Sequence, residues 1–518
     1  MTFLTHSLRL LSILAVALVT SGLTAAADEK RPPNILYIMT DDHAAHAIGA
    51  YGGRFADLDP TPTIDRLAAE GMRFTNAFCI NSICTPSRAT ILTGQYCHVH
   101  GNRAFAPGLG REHQHLPRLI KEAGYETAVV GKWHLLQEPE VFDYYCVLPG
   151  QGSYFNPIFR VRGPDPWPEN TIRVAGYDSV HSSDAITDIA LRWLRNRQQK
   201  DKPFFLLYHF KAPHDNFENA ERYDWLFECQ EMPEPDSLWE RGNHGPAGRP
   251  RYGTSIGRRN ERRNMGHHMF VDPDLDDQEY QRVAYQRYMK KYFRCVRGVD
   301  DNIARVLDYL EKSGELDRTA IVYTSDQGFM LGEHDYIDKR WMYEESMRMP
   351  LIVRWPGVVE PGSTCAAIVN NVDFAPTLLT MASAEVPEFM QGRSFLPLLR
   401  GEPEPDDWPK ATYYRYWLHM THHDVPAHYG IRTHDFKLIF FYGLPLDVRN
   451  ALAEPTEPYW ELYDLRHDPR EMNNVYTDPS YAQVATELKE QLLHLKARIG
   501  DNDEQYPDLM EVRREHWD

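Results

Sequence analysis

The sequence predicts an α/β fold: a doubly wound, mostly parallel sheet flanked by helices, with a smaller C-terminal α+β unit on an antiparallel sheet. Three observations carry this. Four short runs are continuously apolar rather than alternating, which suits strands buried on both faces. Helical segments lie between them, the alternation of a doubly wound sheet. Each run also stops abruptly on polar residues.

In chain order, Asn34-Ile35-Leu36-Tyr37-Ile38-Met39-Thr40 ends on Asp41-Asp42-His43. Thr127-Ala128-Val129-Val130 ends on Gly131-Lys132-Trp133-His134. Phe204-Phe205-Leu206-Leu207-Tyr208-His209-Phe210 ends on Lys211-Ala212-Pro213-His214. Ala320-Ile321-Val322-Tyr323-Thr324 ends on Ser325-Asp326-Gln327-Gly328. Helices are expected over 63–70, 116–123 and 185–197, and a long one over 283–312. Ligands of such sheets gather outside the carboxyl ends of the strands, so the four polar endings should meet on one edge.

Between them, 216–281 is rich in Arg, Asn, Gly and acidic residues around Arg258-Arg259-Asn260-Glu261-Arg262-Arg263. It reads as an insertion over the site edge, either a binding loop or a solvated one. A linker is expected at 396–409, where Gly401-Glu402-Pro403-Glu404-Pro405-Asp406-Asp407 breaks regular structure. Past it, 429–433, 436–441 and 461–465 read as strands of the smaller sheet. The helix expected over 481–499 places Val484, Leu488, Leu492 and Leu495 on one stripe. The organisation that results is a larger unit at 28–395, which holds the four strand endings, and a C-terminal unit at 410–518.

The N-terminus reads as a signal peptide, 1–27. His6 and Arg9 precede an apolar run at 10–19 that is too short to span a membrane, and Ala25-Ala26-Ala27 resembles an A-x-A cleavage site. Export to periplasm, cell surface or medium is expected, with no stable membrane span. A formal charge of −18 excludes a broad basic surface for nucleic acid. A local basic pocket can coexist with it. Seven cysteines are scattered without a metal-knuckle spacing, and both disulfides and free thiols remain open for them.

Cys84 is the candidate reactive centre. Thr85 suits a helix N-cap and Pro86 the first helical position, which would leave Cys84 just outside a helix N-terminus. Unpaired amides and the helix dipole favour negative charge there, and Arg88 falls in the first turn. A buried structural cysteine is the alternative. Asp41, Asp42, Asp326 and Gln327 offer hard oxygens at two strand ends, as calcium or magnesium requires. Lys132 and Lys339, read alone, are surface cations or point charges for a bound anion. His134 and His214, read alone, are satisfied core histidines or groups able to carry a proton.

Cys84-Thr85-Pro86-Ser87-Arg88, with its Leu92-Thr93-Gly94 tail, resembles the C-x-P-x-R signature of the type I sulfatases. The resemblance runs from about 33 to 382 and continues through Leu462-Tyr463-Asp464-Leu465 and Asp468-Pro469-Arg470-Glu471-Met472-Asn473-Asn474. It implies an alkaline-phosphatase-like fold, and a formylglycine made from Cys84 by a formylglycine-generating or sulfatase-maturing enzyme. Asp41, Asp42, Asp326, Gln327 and modified Cys84 are then the metal ligands, with calcium the metal and magnesium possible in its place. The family often has Asn or His where Gln327 stands, and Gln keeps the carbonyl donor. By the same resemblance the hydrated aldehyde attacks sulfur, Arg88 holds its ionised hydroxyl, and Lys132 and Lys339 offset sulfuryl charge. His214, helped by Lys339, protonates the departing oxygen, and His134 then expels sulfate by deprotonating the second hydroxyl.

The run Ser325–Asp326–Gln327–Gly328–Phe329–Met330–Leu331–Gly332–Glu333–His334, with Asp338-Lys339-Arg340, is similar to exported bacterial N-acetylglucosamine-6-sulfatases and related polysaccharide sulfatases. A sulfated saccharide partner follows, and His428 and Arg432 of His428-Tyr429-Gly430-Ile431-Arg432 are implied as sugar contacts. Two rivals remain: a phosphate or phosphonate ester hydrolase of the same superfamily, and a non-catalytic exported glycan-binding homologue.

Overall fold

The structure is a computed structural model, and it describes residues 32–173, 180–240, 242–245 and 248–517. The expected signal peptide at 1–27 lies outside the described residues. Among these no helix is long and apolar enough to cross a membrane.

Ten strands form the large sheet. In chain order they are β1 (Asn34–Asp41), β2 (Met72–Phe74), β3 (Glu126–Lys132), β4 (Tyr144–Leu148), β5 (Ile158–Val161), β6 (Thr171–Arg173), β7 (Phe204–Pro213), β8 (Thr319–Ser325), β9 (Leu351–Arg354) and β10 (Ser363–Cys365). Their spatial order is β10-β2-β9-β8-β1-β7-β3-β4-β5-β6. The central strands β8, β1, β7, β3 and β4 run parallel, and antiparallel pairs flank them on both sides.

Side-chain alternation explains the continuous apolarity. Ile35, Tyr37 and Met39 of β1 face one core, shared with helices α2 (Cys84–Thr93), α3 (His115–Glu122) and α6 (Phe374–Met381). Leu36 and Ile38 face the other, shared with α1 (Pro62–Ala69), α4 (Ser182–Asn196) and α5 (Asp277–Lys312). Each such side chain, fully buried, contributes about 1.5–3 kcal/mol. Gly131 of β3 allows the close approach to β7, because a Cβ there would sit 1.8 Å from the His209 carbonyl oxygen.

Three expectations need correction. The long helix starts at Asp277, not 283, because Asp276 caps it by accepting from the Glu279 amide at 2.9 Å. The insertion is not a solvated loop. Its Thr254–Ser255 pairs with Tyr336–Asp338, and Arg259 lies buried against Asp335 at 3.1 Å. The linker is shorter than 396–409, since Leu396–Leu399 is a helix whose leucines enter the core. Trp408, also buried, donates to the Ile368 carbonyl at 2.8 Å. The cysteines are all free thiols.

The smaller antiparallel sheet comprises β11 (Ala411–Tyr416), β12 (His428–Thr433), β13 (Phe436–Phe441) and β14 (Tyr459–Asp464). One face packs on the large unit through Tyr414, Tyr416, Ile439 and Phe441. The other is covered by α7 (Ala482–Ile499), where Leu488 and Leu492 are buried and Val484 and Leu495 sit at the rim. That stripe also carries a lysine. Lys496 is buried with Arg415, Asp501 and Asp503, within 3.3 Å of Asp501 and 2.9 Å of Asp503.

Burial works to raise the Asp501 carboxyl, but Arg415 at 2.6 Å and Lys496 hold it well below the usual carboxylate range. A carboxylate depressed in the fold contributes stability that is full above its unfolded value and lost as pH falls through the folded one. Asp501→Asn is expected to cost roughly 3–5 kcal/mol at pH 7, because the buried Arg415 and Lys496 are left to share Asp503, 3.4 and 2.9 Å away. The deficit should shrink as pH falls below 4, read as converging melting temperatures; a constant deficit would refute the assignment.

Candidate active site

The parallel register delivers the site. Thr40 of β1 stands opposite Ser325 of β8, so Asp41-Asp42 and Asp326-Gln327 leave the sheet side by side. Against β7 the register shifts between Met39 and Asp41, and the extra residues turn His214 over Asp42, 3.7 Å from Nε2 to Oδ2. Lys132 ends β3 and its ammonium bonds Asp41 and Gln151. Lys339, after Tyr336–Asp338, donates to both Asp42 oxygens at 2.6 Å.

The start of α2 departs from expectation. Ile83 is the cap residue, and Cys84 is the first helical residue rather than one outside it. Thr85 does not cap, because its hydroxyl donates to the His134 carbonyl at 3.0 Å. Pro86 falls third, where its missing N–H is still outside the helical ladder. Ser87 bonds the Asp326 carbonyl and accepts from Asn371 at 2.8 Å. Arg88, one turn on, donates Nε to Asp326 at 2.9 Å and Nη1 to the Lys132 carbonyl at 2.7 Å.

Cys84, Asp42, His134, His214 and Lys339 line one cavity of about 350 Å³, with Gln151, Phe105, Asp338, Arg340, His422 and His423. Asp42, His134, Asp338 and Arg340 hold φ of 67°, 54°, 89° and 86°, left-handed backbone that costs non-glycine residues about 1–3 kcal/mol each. Such strain gathers where side chains must be aimed.

Burial dominates the titration. It pushes the Asp42 carboxyl up to about 6 against the pull of Lys339. It depresses His134 and His214, with Lys132 adding to both, and it lowers Lys132. It raises the Cys84 thiol, so the unmodified side chain is a protonated thiol at neutral pH. Lys339 alone among these cations is held above its usual value: burial pulls it down, but Asp42, Cys84 and Asp338 together outweigh the burial. The His214 ring donates Nδ1–H to the Asp215 carbonyl at 2.8 Å, which leaves Nε2 facing Asp42.

Two buried oxygens, Asp41 Oδ1 and Gln327 Oε1, have no hydrogen-bond partner among the described residues. Leaving such atoms dry is costly, and a hard cation satisfies both. Asp41, Asp42 and His214 present donor atoms mutually within 4.8 Å. The oxygen set of Asp41, Asp42, Asp326 and Gln327 suits calcium or magnesium better than a set including the imidazole.

A family model, Sulfatase, matches residues 33–384. The chain is a member of the sulfatase family. A second model, N-sulphoglucosamine sulphohydrolase, C-terminal, matches residues 332–498 of this sulfatase. An N-acetylglucosamine-6-O-sulfatase of Bacteroides thetaiotaomicron is 41% identical over 545 residues, covering 95% of this chain and 91% of that protein. A structure of BT4656 in complex with its substrate D-glucosamine-2-N,6-O-disulfate superposes with a TM-score of 0.81 at 41% identity, covering 92% and 99% of the two chains. A phosphonate monoester hydrolase from Silicibacter pomeroyi has a TM-score of 0.69 at 22% identity over 90% and 95%, a likeness of fold.

The sugar contacts expected at His428 and Arg432 are corrected. His428 is fully buried between Tyr414, Tyr416 and Phe441, with Nδ1 on the Pro426 carbonyl at 2.8 Å. Arg432 is buried too, and both Nε and Nη2 donate to Glu344 at 3.1 Å. Neither lines the cavity; His422 and His423 do.

The sequence reading also passed over the tyrosines of α5. On that helix Tyr280, Tyr285, Tyr288 and Tyr292 lie within one arc, and each phenol donates to a loop that carries or frames the site. Tyr280 bonds Asn264 at 2.9 Å, Tyr285 the Pro233 carbonyl, and Tyr288 the Met330 carbonyl at 3.1 Å. Tyr292 donates to the Asp42 carbonyl at 2.8 Å and accepts from the Ala44 amide at 2.9 Å, pinning the left-handed turn. The visible signal was the spacing Tyr-x4-Tyr-x2-Tyr-x3-Tyr. Tyr292→Phe is expected to weaken calcium binding, titrated calorimetrically, roughly 10–100-fold. Unchanged affinity would show that Asp42 needs no such clamp.

Proposed function

We propose that this sulfatase removes a sulfate ester from a glycan, 6-O-sulfated N-acetylglucosamine or a related glycosaminoglycan, mucin or algal sugar. The observation that carries the reading is Cys84 at the first turn of a buried helix, in one cavity with Asp42, His134, His214 and Lys339. Its protonated thiol is a poor nucleophile, which supports conversion to formylglycine by a maturing enzyme. Formylglycine supplies a geminal diol, a nucleophile that a divalent metal activates. Asp41, Asp42, Asp326 and Gln327 would hold that metal, calcium in preference to magnesium.

The chain's own groups take the remaining roles. Asp41, Asp42 and Asp326 formally balance Arg88, Lys132 and Lys339, so an added divalent cation leaves a positive field that an anionic ester offsets. Arg88, fixed by Asp326, supports the charge that develops at position 84. Lys132 and Lys339, whose carboxylate partners Asp41 and Asp42 would hold the metal, orient the sulfuryl oxygens. His134, held neutral, accepts a proton. Lys339, which keeps its proton, and His214 flank the departing oxygen. Sugar specificity follows the 41% relative, with Asp338, Arg340 and His423 within reach of hydroxyls. We also propose that 1–27 exports the chain, that 28–395 holds the chemistry and that 410–518 frames the sugar.

The test is sulfate release from a panel of defined sulfated saccharides, with position 84 checked by peptide mass. The expected result is release from 6-sulfated N-acetylglucosamine and loss of roughly 10³-fold or more in Cys84→Ser. Chelation should abolish turnover and calcium restore it. Hydrolysis of phosphate but not sulfate esters by the converted enzyme would overturn the reading.

A further inference from the structure

Two arginines of the insertion share one counter-charge. Arg262 and Arg263 both reach Asp424 Oδ2, at 2.7 and 3.1 Å. Asp424 is buried, whereas the two arginine side chains are 71% and 41% exposed. The other arginines of the run are spent elsewhere. Arg258 bonds Asp277 at 2.8 Å and the carbonyls of Leu275 and Pro273. Arg259 is buried on Asp335 and Tyr336.

One carboxylate under two guanidiniums leaves a positive charge in excess, with N–H donors to spare on exposed side chains. In a chain of formal charge −18 such an excess is not part of a general basic surface. Its place is also specific. Asp424 follows directly on His422 and His423, which line the cavity. His423 is anchored by the Thr254 hydroxyl at 2.9 Å and lies 3.5 Å from Asp338. The charge of Arg263 is felt at both rings, where it adds to burial in lowering their proton affinity.

We propose that Arg262 and Arg263 form a second anion subsite beside the cleavage pocket, which takes a sulfate or carboxylate carried elsewhere on the same glycan. The inference rests on the sulfatase reading of the cavity. A fixed anion at the rim binds before and during cleavage alike, so its loss raises KM and leaves kcat. Either arginine can be removed singly, because the other still covers Asp424.

The test compares kcat/KM of the intact, converted enzyme with Arg262→Gln and Arg263→Gln at low ionic strength. Three substrates serve: 6-sulfated N-acetylglucosamine, glucosamine-2-N,6-O-disulfate, and 6-sulfated N-acetylglucosamine linked to a uronic acid. The wild type should prefer a doubly anionic substrate, and each variant should lose that preference by about tenfold, through KM, with Arg262→Lys recovering part of it. Whether the disulfate or the uronic acid arm responds identifies the source of the second anion. A preference ratio unchanged in both variants overturns the proposal. If the wild type cleaves no sulfate ester, the sulfatase reading fails by itself. Calorimetric binding of a heparin-derived disaccharide to full-length Cys84→Ala, with and without Arg262→Gln, then decides the subsite: about tenfold weaker binding supports it and equal affinity overturns it.

Discussion

The guanidinium of Arg88 is the contact on which the site depends. Three strand ends bring Asp41, Lys132 and Asp326 together at depth, where like charges could not stay ionised unaided. Arg88 donates to Asp326 and to the Lys132 carbonyl, and its Nη2 lies 4.0 Å from Asp41. It therefore ties α2, which begins with Cys84, to β1, β3 and β8 at once. Removing one partner of so buried a pair costs roughly 3–5 kcal/mol. Desolvating these charges is an expense that the ordinary cores on both sheet faces carry, and the strained turns at Asp42 and His134 add to it.

Much of this was legible in the residues. Strands β1, β3, β7 and β8 announced themselves because burial on both faces removes any need for polar alternation. Their endings were legible because polar groups at the end of a buried strand need a reason. What escaped was local competition. Thr85 has the chemistry of a cap, but a carbonyl from the turn after β3 claims its hydroxyl. His428 and Arg432 carry polar atoms in a matching motif, yet a motif does not say on which side of a sheet a residue points. His428 points into an aromatic box and Arg432 at Glu344. Lys496 sits on a stripe that periodicity marks as apolar, since only tertiary structure brings Asp501 and Asp503 to it.

The insertion was ambiguous for a similar reason. It has few long apolar runs of its own, so composition suggests a solvated loop. Its order is borrowed instead. Asn264 is held by Tyr280, His244 bonds Tyr463 at 2.8 Å and His334 at 3.0 Å, and Gly245 donates to Glu461 at 2.9 Å. Long helix, insertion and C-terminal sheet thus brace one another, and the bonds of His244 and Gly245 reach partners far away in sequence.

In the folded chain Cys84 is only 1% exposed, and every residue of its helix is buried. A small sugar sulfate can enter the cavity, but no second protein can grip the pentapeptide as an extended peptide. Any covalent change at Cys84 that another enzyme makes therefore belongs to the interval before folding closes. That interval is set by topology: the contacts that seal α2 join positions 238 and 239 residues apart in Arg88–Asp326 and Ser87–Asp326. Pairings of such range form late. The closure of a large, mostly parallel sheet is slow, and while it lasts the Cys84 thiol can still be reached from outside.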